Sequence, residues 1–318
     1  MKIGFIGLGI MGGRMAAHLL HRGNELIVFN RTRTKVEPLS EQGARLAESP
    51  AELAREVDVL FTMLSQPEAV EQVALGSGGF LDQLRPNTIW IDCSTVNPSF
   101  SKRLAAEAAR RSIRFLDAPV TGSAPIAAEG QLSFWVGGDS SDLEEVQPLL
   151  SEMGSRIVHV GRNGAGSAMK LVINLLLGTG MAAFAEAMAL GESFGLNLGA
   201  MFDELAGMPQ VPPFVLSKRE KIENGDYRPD FQLVSMQKDL HLASVSAYET
   251  GVALPVTNSA KELYRLAIRS GRANQDFSAI YDYLTNTVGR DDRGKNSSSS
   301  AKPVASANQL KYQDKASQ

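Results

Sequence analysis

Apolar positions follow two rhythms along the chain, and the change between them falls near residue 162. Up to that point short apolar runs alternate with amphipathic stretches. KIGFIG (2–7), ELIVFN (25–30), VDVLFTML (57–64), TIWIDCS (88–94), RFLDAPV (114–120), LSFWVGG (132–138) and RIVHVG (156–161) read as strands. Between them the spacing turns helical. In MGGRMAAHLLHRG, Met15, Leu19 and Leu20 share one face and Gly23 closes the end. Strand and helix in alternation predict a doubly wound α/β domain of Rossmann type, with a parallel sheet and right-handed crossovers. The last two strands, joined by the turn-rich DSSDLEEV, are candidates for mixed-direction edges.

After Gly161 the strand rhythm stops. GAGSAMKLVINLLLGTGMAAFAEAMALGESFG supports one helix of roughly 30 residues, about 45 Å long. Helical patterns follow at 198–206, 214–224, 233–250, 255–270 and 277–284, so the second domain is expected to be all-helical. From Asp291 the chain is polar and serine-rich, with almost nothing to bury, and reads as a disordered tail. The expected organisation is a dinucleotide-binding domain over 1–162, a helical domain over 163–290 joined to it by the long helix, and a tail over 291–318.

A chain of 318 residues is too long for one ordinary core, which agrees with two domains. The run from Ala165 to Leu190 is apolar enough to raise the question of a membrane span. It carries Lys170, Asn174 and Glu186, is rich in Gly and Ala and lacks flanking aromatic anchors, so a buried helix is the better reading. A formal net charge of −3 gives no whole-surface attraction for nucleic acid or an anionic membrane. The single cysteine, Cys93, fits a reducing compartment, and the first strand begins at Lys2, so no targeting segment and a cytoplasmic location are expected.

Gly7-Leu8-Gly9-Ile10-Met11-Gly12 is a G-x-G-x-x-G run that follows a strand and opens a helix, the context in which such a run binds a dinucleotide. Gly7 permits the tight turn, Gly9 lets backbone approach a pyrophosphate, and Gly12 lets helix and strand pack closely. At the end of the second strand, where a carboxylate would accept from the ribose of NAD, the sequence reads Asn30-Arg31-Thr32-Arg33. A carboxylate repels a 2′-phosphate, whereas an arginine and a hydroxyl bind it, so NADP(H) is the expected cofactor.

Lys170 and Asn174 lie one turn apart on one face of the long helix. The spacing admits two readings. An ammonium and a carboxamide can converge on one carbonyl oxygen, or Lys170 can snorkel to solvent while Asn174 bonds a neighbouring helix. Thr121-Gly122-Ser123, after Pro119, is either an anion-accepting concavity at a cleft edge or an ordinary turn. His18, His21, His159 and His241 fall in no carboxylate-paired or metal-ligand pattern, so structural roles and no bound metal are expected.

Four motifs in order resemble the β-hydroxyacid dehydrogenase family: GFIGLGIMGGRMAAHLL, DAPVTGSAPIAAEGQLSFWVGG, GAGSAMKLVINLLLG and FQLVSMQKDLHLA. The resemblance runs from Lys2 to about Leu284. NRT after the second strand and the serine of TGS look most like the glyoxylate/succinic semialdehyde reductase branch. The resemblance implies that Lys170 is the catalytic acid/base with Asn174 beside it, and that Thr121, Gly122 and Ser123 hold a substrate carboxylate. It further implies that Met63, Leu64 and Thr95 line the cofactor, that Lys238 approaches it from the helical domain, and that Phe231 and Asp239 border the pocket. The chain departs from many members at Thr121-Gly122-Ser123, where they have Ser-Gly-Gly, and at Asn174-Leu175, where they have two asparagines. The expected partner is a small carboxylate-bearing aldehyde or keto acid, and the long helix's small-residue faces suggest a homodimer or homotetramer. The rival readings are a 3-hydroxyisobutyrate or tartronate semialdehyde enzyme, an imine reductase, and a non-catalytic NADP-binding scaffold.

Overall fold

The computed structural model describes residues 1–286. The expected tail over 291–318 lies outside the described residues. Nine strands among the described residues form one sheet. They are β1 (Lys2–Ile6), β2 (Glu25–Phe29), β3 (Arg45–Leu46), β4 (Val59–Thr62), β5 (Ile89–Asp92), β6 (Arg114–Asp117), β7 (Val120–Thr121), β8 (Leu132–Gly137) and β9 (Gly154–Gly161). The order β3-β2-β1-β4-β5-β6 is parallel throughout, and β8 then runs antiparallel to both β6 and β7. β9 lies parallel to β8, so the last two strands both run against the rest of the sheet, but the stretch expected as a turn between them is the helix Ser140–Met153, which a parallel crossover requires.

Alternation with period two sends neighbouring residues to opposite faces. Phe5, Val28 and Phe61 join a core with Met15 and Leu19 of the first helix, while Ile6, Ile27 and Leu60 join a second core around Trp90. The Trp90 ring sits edge-on to Phe80 and Phe115, with centroids 4.9 and 4.8 Å away. Both faces are covered, as a parallel sheet requires.

The long helix runs over Ala165–Ser193. It is the one described helix with the length and hydropathy of a membrane span. Its neighbours are the helices Leu233–Thr250, Pro255–Ala267 and Ile280–Asn286 and strand β8. Met181, Phe184, Met188, Leu233, Met236, Leu240 and Tyr264 form the core of this helical part.

Three further expectations need correction, and one strand, β3, answers to none of them. The run 114–120 is two strands rather than one, because Pro119 has no N–H to give a ladder and the chain leaves β5 there to pair with β8. β3, two residues long, is too short to leave a periodic signal. The helix expected over 214–224 is two, Pro213–Leu216 and Arg219–Asn224. Between them Lys218 turns inward to reach Asp276 at 3.1 Å and Asp230 at 3.4 Å. The helix expected over 255–270 is α-helical only to Ala267, then widens into a π turn over Ile268–Arg272 where Gly271 takes a φ of 92°.

Candidate active site

The glycine turn joins β1 to the helix Gly12–His21. Gly7 has a φ of 100°, and a Cβ there would stand 2.3 Å from the Met63 carbonyl oxygen and 2.8 Å from Leu64. A Cβ on Gly12 would stand 1.9 Å from the Gly7 carbonyl oxygen. Gly9 differs, since nothing lies within 4 Å of where its Cβ would be. Two glycines are therefore demanded by packing, and the middle one leaves backbone bare on an open face. Ile10 there is exposed and Met11 half-buried. The free N–H groups at the start of the ten-residue helix complete an anion-accepting cradle that fits a dinucleotide pyrophosphate.

Asn30 locks this turn to the loop after β2. Its Oδ1 accepts from the Leu8 N–H at 2.9 Å, and its Nδ2 donates to the Thr32 carbonyl at 2.8 Å. Arg33 is diverted, with Nη2 2.6 Å from Glu48. Arg31 and Thr32 are exposed, and among the described residues the Arg31 guanidinium has no ion pair or hydrogen bond.

The second half of the site comes from the helical part. Asn174 is 1% exposed and donates Nδ2 to Asp239 Oδ2 at 2.6 Å. Asp239, 2% exposed, has the Lys238 ammonium 2.9 Å from Oδ1, outside hydrogen-bonding alignment, so Oδ1 keeps an unused acceptor direction. Lys238 Nζ donates to the Thr95 carbonyl at 2.8 Å, which ties the helix Leu233–Thr250 to the loop after β5. Lys170, half-buried one turn before Asn174, makes no ion pair or hydrogen bond among the described residues. Loss of hydration pulls its ammonium down to about 8; the Asp239 carboxylate works against that shift and the Lys238 charge adds to it.

Two acids that the strand pattern conceals support this arrangement. Asp117, at the end of β6, takes the Gly164 N–H on Oδ1 at 2.7 Å and the Ser167 N–H on Oδ2 at 2.9 Å, capping the helix that carries Lys170. Asp92, at the end of β5, takes the Thr62 hydroxyl at 2.7 Å and leaves Oδ2 buried without a partner. Burial pushes both carboxyls up to about 6. Ser94 carries no local signal; its Oγ accepts from the Leu64 N–H at 2.9 Å and fixes the loop after β4. The local signal for Asp92 and Asp117 is an acid closing an otherwise apolar strand run.

The remaining expected residues stand apart from this cluster in their bonding. Thr121 and Ser123 are half-buried, Gly122 is exposed with a φ of 136°, and Thr121 bonds the Trp135 indole. Phe231 meets Phe277 edge to face with centroids 5.8 Å apart and donates its N–H to Asp276. The ring nitrogens of His18, His21 and His159 meet Ala127 and Ala128 carbonyls, Gln42 and the Gly138 carbonyl. No group of three His, Cys, Asp or Glu among the described residues is placed to hold a metal ion.

Comparison with known proteins identifies the family. Residues 2–161 match the family described as the NAD binding domain of 6-phosphogluconate dehydrogenase. Residues 164–284 match the NAD-binding family of NADP-dependent 3-hydroxyisobutyrate dehydrogenase. A probable mitochondrial 3-hydroxyisobutyrate dehydrogenase of Dictyostelium discoideum is 38% identical, over 89% of this chain and 90% of its own length. Glyoxylate/succinic semialdehyde reductase 1 of Arabidopsis thaliana is 36% identical, over 89% of this chain and 98% of its own. The solved 3-hydroxyisobutyrate dehydrogenase of Mycobacterium tuberculosis, with L-serine, is 34% identical over 89% of this chain and 98% of its own, at a TM-score of 0.79. The chain therefore belongs to the β-hydroxyacid dehydrogenase family, NAD(P)-dependent oxidoreductases that act on hydroxyl groups.

Proposed function

We propose that the protein reduces small carboxylate-bearing aldehydes and keto acids with NADPH, glyoxylate to glycolate and succinic semialdehyde to 4-hydroxybutyrate being the leading pairs. The observation that carries this reading is the unpaired, half-buried Lys170 beside an Asn174 that Asp239 holds in place. Gly7, Leu8, Gly9, Ile10, Met11 and Gly12 would hold the pyrophosphate, Arg31 and Thr32 the 2′-phosphate, and Met63, Leu64 and Thr95 the nicotinamide side. The bound dinucleotide supplies the hydride.

Lys170 then gives its proton to the carbonyl oxygen as negative charge grows there, and in the reverse direction the neutral amine takes it back. An amine whose proton is held near pH 8 can do both in the physiological range. Asn174 has one amide hydrogen committed to Asp239, so its orientation is fixed and its other groups can address substrate. Lys238 clamps the helical part onto the Thr95 loop, and Phe231 closes the pocket edge. Thr121, Gly122 and Ser123 seat the substrate carboxylate.

NADPH rather than NADH is favoured by Arg31, which no described carboxylate neutralises, and by Asn30, whose side chain is spent on backbone. The exposed apolar stripe Val172, Leu176, Leu190 and Phe194 along the long helix supports a homo-oligomer, which a solution mass twice or four times that of the chain would establish. The buried, unpaired Cys93 is compatible with a cytoplasmic location. The functional test is NADPH oxidation with glyoxylate, succinic semialdehyde, tartronate semialdehyde and cyclic imines side by side. Turnover confined to the imines would overturn the substrate class.

A further inference from the structure

β7 is only two residues long, yet it is fastened to β8 by more than its ladder. Val120 pairs with Phe134 and Thr121 with Ser133. The Trp135 backbone N–H donates to the Pro119 carbonyl at 3.1 Å. Its indole Nε1 then reaches diagonally to Thr121 Oγ1 at 2.8 Å, within the span over which large side chains on one sheet face meet. Trp135 is 8% exposed, and the Arg156 guanidinium covers its ring 5.1 Å from the centroid. The same residue also abuts the long helix. A Cβ on Gly166, one turn before Lys170, would stand 2.3 Å from the Trp135 carbonyl oxygen.

The polarity of the diagonal bond is fixed by chemistry. An indole N–H donates and cannot accept, so in this contact the Thr121 hydroxyl must accept. A hydroxyl has one proton and two lone pairs, and here a lone pair is used while the proton is left over. Accepting a hydrogen bond also makes that O–H a stronger donor. A carboxylate offers only acceptors and is the partner such a hydroxyl suits.

We propose that Trp135 is a positioning residue that sets Thr121 as a hydrogen-bond donor and so gives the site its preference for anionic over neutral aldehydes. The inference rests on the reading above in which Thr121 seats the substrate carboxylate. It adds what that reading lacks, namely the group that decides which way the hydroxyl points. Trp135 touches neither substrate nor cofactor in this account and acts through Thr121.

The test compares wild type, Trp135→Phe, Thr121→Val and the double variant on succinic semialdehyde and on butanal, its neutral four-carbon counterpart. Trp135→Phe should raise KM for succinic semialdehyde about tenfold, the scale of one lost hydrogen bond, with kcat, KM for NADPH and butanal turnover within about twofold. Thr121→Val should do at least as much, and adding Trp135→Phe to it should cost nothing further. A rise with Thr121→Val and none with Trp135→Phe would overturn the proposal while leaving the carboxylate seat intact. No rise with Thr121→Val would instead overturn the seat itself.

Should Trp135→Phe not fold, indole N–H resonances of otherwise intact protein decide the matter. In Thr121→Val the Trp135 signal should shift and exchange faster while that of Trp90, bonded to Thr62, stays put. An unmoved Trp135 signal would overturn the bond on which the proposal stands.

Discussion

Asn174 Nδ2 and Asp239 Oδ2 meet across 2.6 Å, although the residues are 65 positions apart and sit on different helices. The bond does two things. It fixes the amide one turn below Lys170, and it brings a carboxylate close enough to hold up the ammonium pKa that burial pulls down. Lys170 thus owes its working range to a balance between lost water and the Asp239 charge.

The balance has a sign that can be measured. For reduction Lys170 must carry its proton, so kcat/KM should fall as pH rises through about 8, and the oxidative direction should gain over the same range. Asp239→Asn keeps an acceptor for Asn174 but removes the charge that raises the Lys170 value. Its pH profile in the reductive direction should therefore break at lower pH than wild type. A break that stays in place would show that Asp239 exerts no electrostatic hold on Lys170.

Arg31 and Arg33 should part company in cofactor choice. Arg31→Ala should raise KM for NADPH by about tenfold to a hundredfold, the scale of a lost charge-assisted phosphate contact, with little change for NADH. Arg33→Ala should do much less, because that guanidinium is already engaged with Glu48. Equal effects of Arg31→Ala on both cofactors would remove the basis for NADP preference.

Asp117→Ala should unfold more readily. Two N–H groups at the start of the long helix would lose their acceptor, a loss of about 1–3 kcal/mol for a buried donor. For a chain this size that is a fall in Tm of about 2–10 °C, read by thermal denaturation. Activity lost at the assay temperature should recover on cooling if the effect is on the helix and not on the chemistry.

How much of this could be read in the sequence follows from how local each signal is. The glycine turn needs only one strand, three glycines and one helix in succession, and Gly7, Gly9 and Gly12 carry it within six residues. Lys170 and Asn174 share a face by helical spacing alone. Nothing local tells that Asn174 reaches Asp239, or that Lys238 reaches back 143 positions to the Thr95 carbonyl. Asp117 and Asp92 look like strand ends until the sheet sets them beneath the start of the long helix and beside Thr62. Nothing local separates Arg33 from Arg31; the loop after β3 does, by bringing Glu48 beside Arg33. The break at Lys218 is likewise tertiary, since helix propensity favours continuity there and a buried carboxylate, Asp276, overrides it.

Whether Lys170 is the acid of an NADPH-dependent reductase is decided by one comparison. Wild type and Lys170→Ala are assayed for NADPH oxidation with glyoxylate and with succinic semialdehyde, and NADPH affinity is measured on both by fluorescence titration. The wild type should turn over, and the variant should lose about 10²–10⁴-fold in kcat with unchanged NADPH binding. A variant that binds NADPH and turns over at the wild-type rate would contradict that role for Lys170.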